Sequence, residues 1–335
     1  MRLFHLTKYT FYRPDFFRNF LKKRKDPFRI ALIADLHFSY KVTDRKLNSL
    51  IKFLKKREPR YILMPGDFVD SLTMIQVPGE QERFLDFIKK LAKVAPLMIS
   101  MGNHDVYEKL PNKRGSRAGL VRGWKISTDT TLIARMAALP NVHVLNDAAY
   151  EDDDVYFVGF TNSNDYYNIT GKGKDTPFNP RHESVKQMGI ELDALDQKLL
   201  KDLPKHKLKI ALIHSPVCLK EKEITDRLKE FDYFVSGHMH NGIVPPVFDE
   251  IIRNSGGLLS PTKELFPTNA RNTMRKNGDK LIVTGAVTTF HECTGPIQYL
   301  NALYPSYVTE LNFSKDKKYK RKPGISRKYY NWPSK

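Results

Sequence analysis

The sequence predicts an α/β fold organised on a parallel sheet with crossover helices. The main observation is that short apolar runs (Ile30–Ala34, Tyr61–Met64, Leu97–Ser100) alternate with longer segments of helical period. Strand, helix, strand, helix, strand is the signature of βαβ units. A second observation is bulk: 335 residues with 41% hydrophobic and 28% charged content can bury a large core. A third is an absence: no run of 18 apolar residues occurs, so no spanning helix is expected.

In chain order, residues 1–27 are expected to form a basic-aromatic N-terminal arm. Phe11, Tyr12, Phe16, Phe17, Phe20 and Leu21 alternate there with Arg13, Arg18 and the run Lys22–Lys25. Phe16, Phe17, Phe20 and Leu21 have helical spacing, which suits a helix packed on the main body or a segment lying on an anionic membrane surface. The main domain is placed at residues 28–314. Thr43 can cap a helix to Lys56, whose Leu47, Leu50, Ile51 and Leu54 share one face. Glu80–Val94 is the second helix. Residues 107–127, with six Lys/Arg and three Gly, read as a flap. A helix over Thr128–Ala138 precedes strands at Val142–Leu145 and Val155–Phe160, with an acidic turn between them. Residues 161–183 read as a long loop and Ser184–Leu203 as a helix. Leu208–Ile213 is a strand, Ile224–Phe231 is helical, and a further strand ends before Gly237. Residues 242–280 read as a cap segment, Leu281–Thr284 and Tyr307–Phe313 as closing strands, and residues 315–335 as a basic surface tail.

The formal charge of +19 is concentrated at the ends. Residues 1–29 hold nine Lys/Arg against two Asp, and residues 315–335 nine against one, so the termini carry 15 of the 19 excess charges. The body is therefore not a uniformly basic nucleic-acid binder. The two cysteines, Cys218 and Cys293, provide neither a disulfide framework nor a C-x-x-C site. With no apolar secretory core at the N-terminus, a cytoplasmic location is expected, peripheral on the inner membrane face if the basic termini bind lipid.

Five strand ends carry potential metal ligands: Asp35 with His37, Asp67, Asn103 with His104, His214, and His238 with His240. Five of the ten histidines fall in these motifs. A lone His-x-His is weak evidence. In open α/β sheets, however, ligands bind outside the carboxyl ends of strands, and this set shares that edge.

Asp-x-His, Gly-Asp-x-x-Asp, Gly-Asn-His-Asp, an isolated His after an apolar strand and Gly-His-x-His, in that order, resemble the calcineurin-like metallophosphoesterases. Gly256-Gly257-Leu-Leu-Ser-Pro261 and Leu265-Phe-Pro267 add a resemblance to bacterial members of the UDP-diacylglucosamine pyrophosphatase type. The resemblance implies a four-layer α/β/β/α sandwich of two mixed sheets with a two-metal site. It gives one metal Asp35, His37, Asp67 and His240, and the other Asp67, Asn103, His214 and His238, with Asp67 as the bridge. Mixed Asp, Asn and His ligands suit Mn²⁺, Fe²⁺ or Zn²⁺ better than Mg²⁺ or Ca²⁺. A hydroxide bridging the ions is the expected nucleophile. His104 is expected to stabilise charge and protonate the leaving oxygen, Asp105 to orient His104 and hold it charged, and Asp70 to buttress a ligand histidine or to remain a solvated turn acid. Arg114, Arg117 and Arg122 are candidates for binding a substrate phosphate, or form a solvated basic loop.

The expected function is hydrolysis of a phosphodiester or pyrophosphate bond, with a lipid- or nucleotide-linked phosphate as the favoured substrate class. Members acting on phosphoproteins carry arginines beside two motifs. Here Ser71-Leu72 follows Asp70, and Ser100-Met101 precedes Gly102. The alternatives are a metal-dependent nuclease on DNA or RNA, and a non-catalytic scaffold of the same fold.

Overall fold

The structure is a computed structural model. It describes residues 2–13, 15, 17, 26–109, 124–126, 130–161, 199–220, 222–245, 248, 256–260, 265–267, 270–276, 279–289, 304–319 and 324–331. The strands, in chain order, are β1 Arg2–Tyr12, β2 Phe28–Leu32, β3 Tyr61–Pro65, β4 Leu97–Ser100, β5 Tyr107–Lys109, β6 Trp124–Ile126, β7 Val142–Val144, β8 Ala148–Glu151, β9 Val155–Phe160, β10 Leu208–Ile213, β11 Tyr233–Ser236, β12 Asn272–Lys276, β13 Asp279–Val283, β14 Ser306–Ser314 and β15 Gly324–Asn331. The helices are α1 Asp44–Lys55, α2 Leu72–Ile75, α3 Glu80–Ala92, α4 Asn103–Val106, α5 Thr131–Ala137 and α6 Lys222–Arg227.

Two mixed sheets form the centre. One runs β15-β1-β14-β2-β3-β4-β7, the other β12-β13-β11-β10-β9-β8. Strands β2, β3, β4 and β7 are mutually parallel, as are β9, β10, β11 and β13. Three apolar clusters define four layers. The first joins Leu47, Leu50 and Leu54 of α1 and Phe84, Ile88 and Leu91 of α3 to the outer face of the first sheet. The second lies between the sheets, where Ile30, Leu32 and Leu63 meet Ile210, Leu212 and Val235. The third packs Ile224 and Leu228 on the outer face of the second sheet. These helices bury one stripe each, and the inner strands are buried on both faces, which is why they read as continuous apolar runs.

Helix α1 starts where the sequence predicts, with the Thr43 hydroxyl accepting from Lys46 N–H. Other expectations need correction. Residues 2–12 are not a detached arm: β1 pairs parallel with β14 and antiparallel with β15. The reason is alternation. Phe4 and Leu6 enter the helix-side core, while Tyr9 and Phe11 enter the inter-sheet core. The C-terminal segment is likewise a strand over Gly324–Asn331 rather than only a surface tail. The acidic turn after Val142–Val144 is preceded by a further strand, β8, which pairs with β9 in the second sheet while β7 lies in the first. The cap segment ends in the strand β12, paired with β13. The amphipathic stretch around Phe16, Phe20 and Leu21, most of the 161–183 loop and most of the Ser184–Leu203 helix lie outside the described residues.

At the amino ends of the central strands the sheets are tied by polar clamps. Arg13 after β1 pairs with Asp232 before β11 at 3.0 Å. The Tyr61 hydroxyl on β3 donates to Asp152 of the β8–β9 turn. The opposite edge, where β2, β3, β4, β10 and β11 end, is left for chemistry.

Candidate metal centre

Every predicted ligand lies just past one of those carboxyl ends. The first sheet supplies Asp35 and His37 after β2, Asp67 after β3, and Asn103 and His104 after β4. The second supplies His214 after β10, and His238 and His240 after β11. Hydrogen bonds across the sheets hold the two groups together. His238 N–H donates to the Asp35 carboxylate at 2.9 and 3.1 Å, and the His214 Nδ1–H to the Pro65 carbonyl at 2.7 Å.

The ligand atoms converge as two sets, Asp35–His37–His240 and Asp67–His214–His238, each with donor atoms within 4.8 Å of one another. His37 Nε2 lies 3.1 Å from His240 Nε2. Asp67 Oδ2 lies 3.1 Å from His214 Nε2 and 3.8 Å from His37 Nε2, so one carboxylate oxygen faces both sets. The other oxygen accepts from His104 N–H at 2.9 Å.

This donor set fits divalent cations. His240 gives its Nδ1–H to the Thr289 carbonyl at 2.9 Å, and His214 its own to Pro65, so each turns Nε2 inward as the metal-binding atom. Asn103 Oδ1 is a buried oxygen with no hydrogen-bond partner among the described residues. A buried amide oxygen left without a donor is costly unless something else uses its lone pairs, and the next residue, His104, bonds Asp67 through its backbone N–H.

The backbone is shaped for close approach. Asp35, His37, Asp67, His238 and His240 all have φ between 45° and 64°, a region that costs an L-residue roughly 1–2 kcal/mol. Gly66 (φ 81°) and Gly102 allow the turns to pack. A Cβ on Gly66 would lie 2.4 Å from the His214 ring, and one on Gly102 2.2 Å from Asp67 Oδ1.

The metal-free electrostatics follow from burying two carboxylates and four imidazoles together. Burial pushes the Asp35 carboxyl up to about 8, against the pull of His214. Burial would also raise Asp67, but His214 and His104 outweigh it and hold Asp67 well below the ordinary range. His214 is opposed by burial, yet the Asp67 carboxylate lifts it to about 9. Burial lowers His240 to about 4 and His238 well below its usual value.

A family model for calcineurin-like phosphoesterases matches residues 28–242. The chain belongs to the calcineurin-like phosphoesterase family. Over 86 residues it is 33% identical to the phosphodiesterase YaeI of Escherichia coli (strain K12), covering 26% of this chain and 30% of that protein. The chain thus spans under a third of the length of this curated relative. A crystal structure of a dimetal phosphatase from Danio rerio is 12% identical with a TM-score of 0.38, covering 79% of this chain and 89% of that one.

Within this calcineurin-like site, two support roles differ from the sequence expectation. The Asp105 carboxylate does not reach His104. It accepts backbone N–H bonds from Asp67 (2.7 Å), Gly102 (2.8 Å) and Val69 (3.1 Å), and burial pushes its carboxyl up. Consecutive residues of the short helix α4 point in different directions, so adjacency to His104 misleads. His104 is instead oriented by a bond from Nδ1 to the backbone carbonyl of Asp70. The Asp70 side chain falls with His37 and His104 in a third group of converging ligand atoms. His104 stacks edge-on to His37 with ring centres 4.7 Å apart. Sequence reasoning missed the Thr289 and Pro65 carbonyls, because backbone acceptors leave no mark on residue type. Arg114, Arg117 and Arg122 lie outside the described residues.

Proposed function

We propose that this protein hydrolyses a phosphodiester or pyrophosphate bond at a dinuclear metal centre. The observation that carries the reading is the placement of Asp67 Oδ2 between two ligand sets. In this reading Asp35, His37, Asp67 and His240 hold one divalent ion and Asp67, Asn103, His214 and His238 the other, with Mn²⁺, Fe²⁺ or Zn²⁺ suited to the mixed donors. Bound there, two such ions supply Lewis-acid polarisation of the phosphoryl group and lower the pKa of water toward neutrality. His104, oriented by the bond from its Nδ1 to the Asp70 carbonyl, serves the phosphoryl or leaving-group oxygen, where it stabilises charge and delivers a proton. Asp105 keeps the Asp67 and Gly102 backbones in place.

A lipid-linked phosphate is favoured among substrate classes by the surface around the site. Tyr40, Val77, Phe248, Leu265 and Phe266 are the exposed large apolar residues among those described. Tyr40 lies on the segment leaving the carboxyl end of β2, and Phe248, Leu265 and Phe266 on the segment leaving that of β11, the strand ends that carry the ligands, while Val77 lies between α2 and α3. Exposed apolar groups on segments that leave the site suit contact with acyl chains or a bilayer interface. In this proposal the membrane contact of a peripheral enzyme is the rim of the site, since residues 2–12 are committed to the sheet.

The test is EDTA stripping followed by Mn²⁺ and assay on bis-p-nitrophenyl phosphate and on a panel of monoesters, diesters and pyrophosphates. Turnover restored on diesters or pyrophosphates supports the reading, and no activity on any ester sinks it. Salt-sensitive cleavage of DNA or RNA instead favours the nuclease alternative. For the lipid class, Leu265→Ser with Phe266→Ser should weaken flotation with anionic liposomes, and unchanged flotation refutes that part.

A further inference from the structure

We infer that Lys46 is a positioning residue for the metal ligand His240, acting through the segment 286–289. This rests on the dinuclear reading above. Lys46 lies in the first turn of α1 and belongs to none of the ligand motifs. Its ammonium donates to the Val287 carbonyl at 2.7 Å and to Thr288 Oγ1 at 3.1 Å. These two neutral oxygens are its acceptors among the described residues, and neither is a carboxylate. A half-buried ammonium spent on uncharged acceptors gains no ion-pair energy, so what it gains is the position of the acceptors.

Residues 286–289 form a strap that leaves β13 in the second sheet and crosses to the first. Ala286 bridges Ala34 in parallel. Val287 N–H donates to Ala34 O and Thr288 N–H to Asp35 O, both at 3.0 Å. Ser306 Oγ donates to Val287 O at 2.8 Å. Two residues on, the Thr289 carbonyl accepts the His240 Nδ1–H at 2.9 Å. The strap therefore touches two ligands of one ion: it bonds the backbone of Asp35 and fixes the ring orientation and tautomer of His240. Lys46 grips its middle with two hydrogen bonds from the far side. No strap hydrogen bond among the described residues reaches the His214 or His238 ring, and the link to that side is indirect, through the His238 N–H on the Asp35 carboxylate, so the effect of loosening the strap falls mainly on the ion held by His240. Loss of a group supporting a metal-binding histidine typically weakens metal affinity by roughly 10–100-fold. Acting one step further out, Lys46 is expected near the lower end.

The experiment is Mn²⁺ titration of EDTA-stripped full-length protein, followed by calorimetry and by the electron paramagnetic resonance signal of a spin-coupled Mn²⁺ pair. For K46M the expected result is one Mn²⁺ bound with wild-type affinity and the other about tenfold more weakly. The coupled signal is then lost at limiting Mn²⁺ and recovered at excess, and kcat recovers with it. K46R, which keeps donors on the strap, should restore most of the affinity, and K46M should add nothing to the loss caused by H240A. K46M binding both ions as the wild type does overturns the inference while leaving the dinuclear reading intact. So does equal weakening of both ions with a lowered melting temperature that excess Mn²⁺ does not rescue. Wild-type protein that binds fewer than two Mn²⁺ overturns both, and that is seen before any variant is made.

Discussion

Asp67→Asn isolates the bridging carboxylate from everything else Asp67 does. Asn tolerates the left-handed backbone that Asp67 adopts at φ 53°. Its amide oxygen can still accept the 2.9 Å bond from His104 N–H. That choice turns the amide NH₂ toward the position of Oδ2, between His37 and His214. Two N–H donors then face lone pairs and cations instead of an anionic oxygen. The fold should survive, while at least one metal is lost. If two ions supply several kcal/mol of transition-state stabilisation, losing about 4 kcal/mol lowers kcat by roughly a thousandfold. The measurement is metal per chain by elemental analysis, with circular dichroism to confirm the fold and kcat on bis-p-nitrophenyl phosphate. Two metals per folded chain in the variant would refute the bridge.

Three further outcomes follow from the same geometry. His104→Asn should retain both metals and lower kcat by about 10²–10⁴ on esters with poor leaving groups, with a smaller loss for p-nitrophenolate; loss of metal would show that His104 is a ligand. In the metal-free protein Asp35 (about 8) and His214 (about 9) are protonated at pH 7, and both must deprotonate to bind metal. Mn²⁺ loading at pH 7 should therefore release about two protons, measured by calorimetry in buffers of different ionisation enthalpy, and affinity should rise with pH and level off near 9; no proton release would contradict the electrostatics. Glu310 on β14 is buried and takes a two-pronged bond from Arg57 at 2.7 and 3.1 Å, with Lys8 at 3.6 Å. Although burial would raise it, Arg57 holds its pKa below the ordinary value, so its stability contribution is present above about pH 4.3 and fades as pH falls through the lowered native value. Glu310→Gln should cost about 1.5–3 kcal/mol at pH 7, and a urea midpoint difference that persists unchanged at pH 3 would refute the assignment.

Much of the site was legible because metal ligation needs particular residue types at strand ends, and residue type is what a sequence displays. The structure brings Asp35, His37, Asp67, His214, His238 and His240 together, and places Asn103 past the neighbouring strand end. Elements whose signal is position rather than type were harder to read. Strand β1 is buried on both faces, so His5 and Thr7 are buried beside Phe4 and Leu6, and its alternation does not sort polar from apolar. The segment Gly324–Asn331 reads as part of a basic surface tail, yet it forms the edge strand β15 beside β1. Strand β8 was hidden because its pairing runs within an acidic hairpin between two strands of different sheets. The left-handed turns at five ligands leave no compositional trace, since none of the five is glycine.

Those turns explain what Asp105 is for. Five candidate ligand residues at positive φ cost the metal-free chain roughly 5 kcal/mol or more together, comparable to the net stability of a typical domain. Something must over-determine them. The Asp67 turn is held by His37 N–H to Asp67 O at 3.1 Å and, from below, by the three backbone donors that converge on the Asp105 carboxylate. Removing that carboxylate leaves the N–H groups of Asp67, Val69 and Gly102 buried and unmatched. Each costs about 1–3 kcal/mol, and water entering the vacated space returns part of it, so Asp105→Ala should destabilise by about 4 kcal/mol. The Asp67 and Asn103 turns share these donors, so Mn²⁺ affinity should fall with stability. The reading of Asp105 as a partner that keeps His104 charged makes a different prediction. It expects wild-type melting temperature and metal content, a lowered kcat, and an acid–base limb of the pH–rate profile that moves. Thermal melts of the metal-free and Mn²⁺-loaded variant beside its pH–rate profile separate the two, and a stable, fully loaded, slow enzyme would overturn the structural role assigned here.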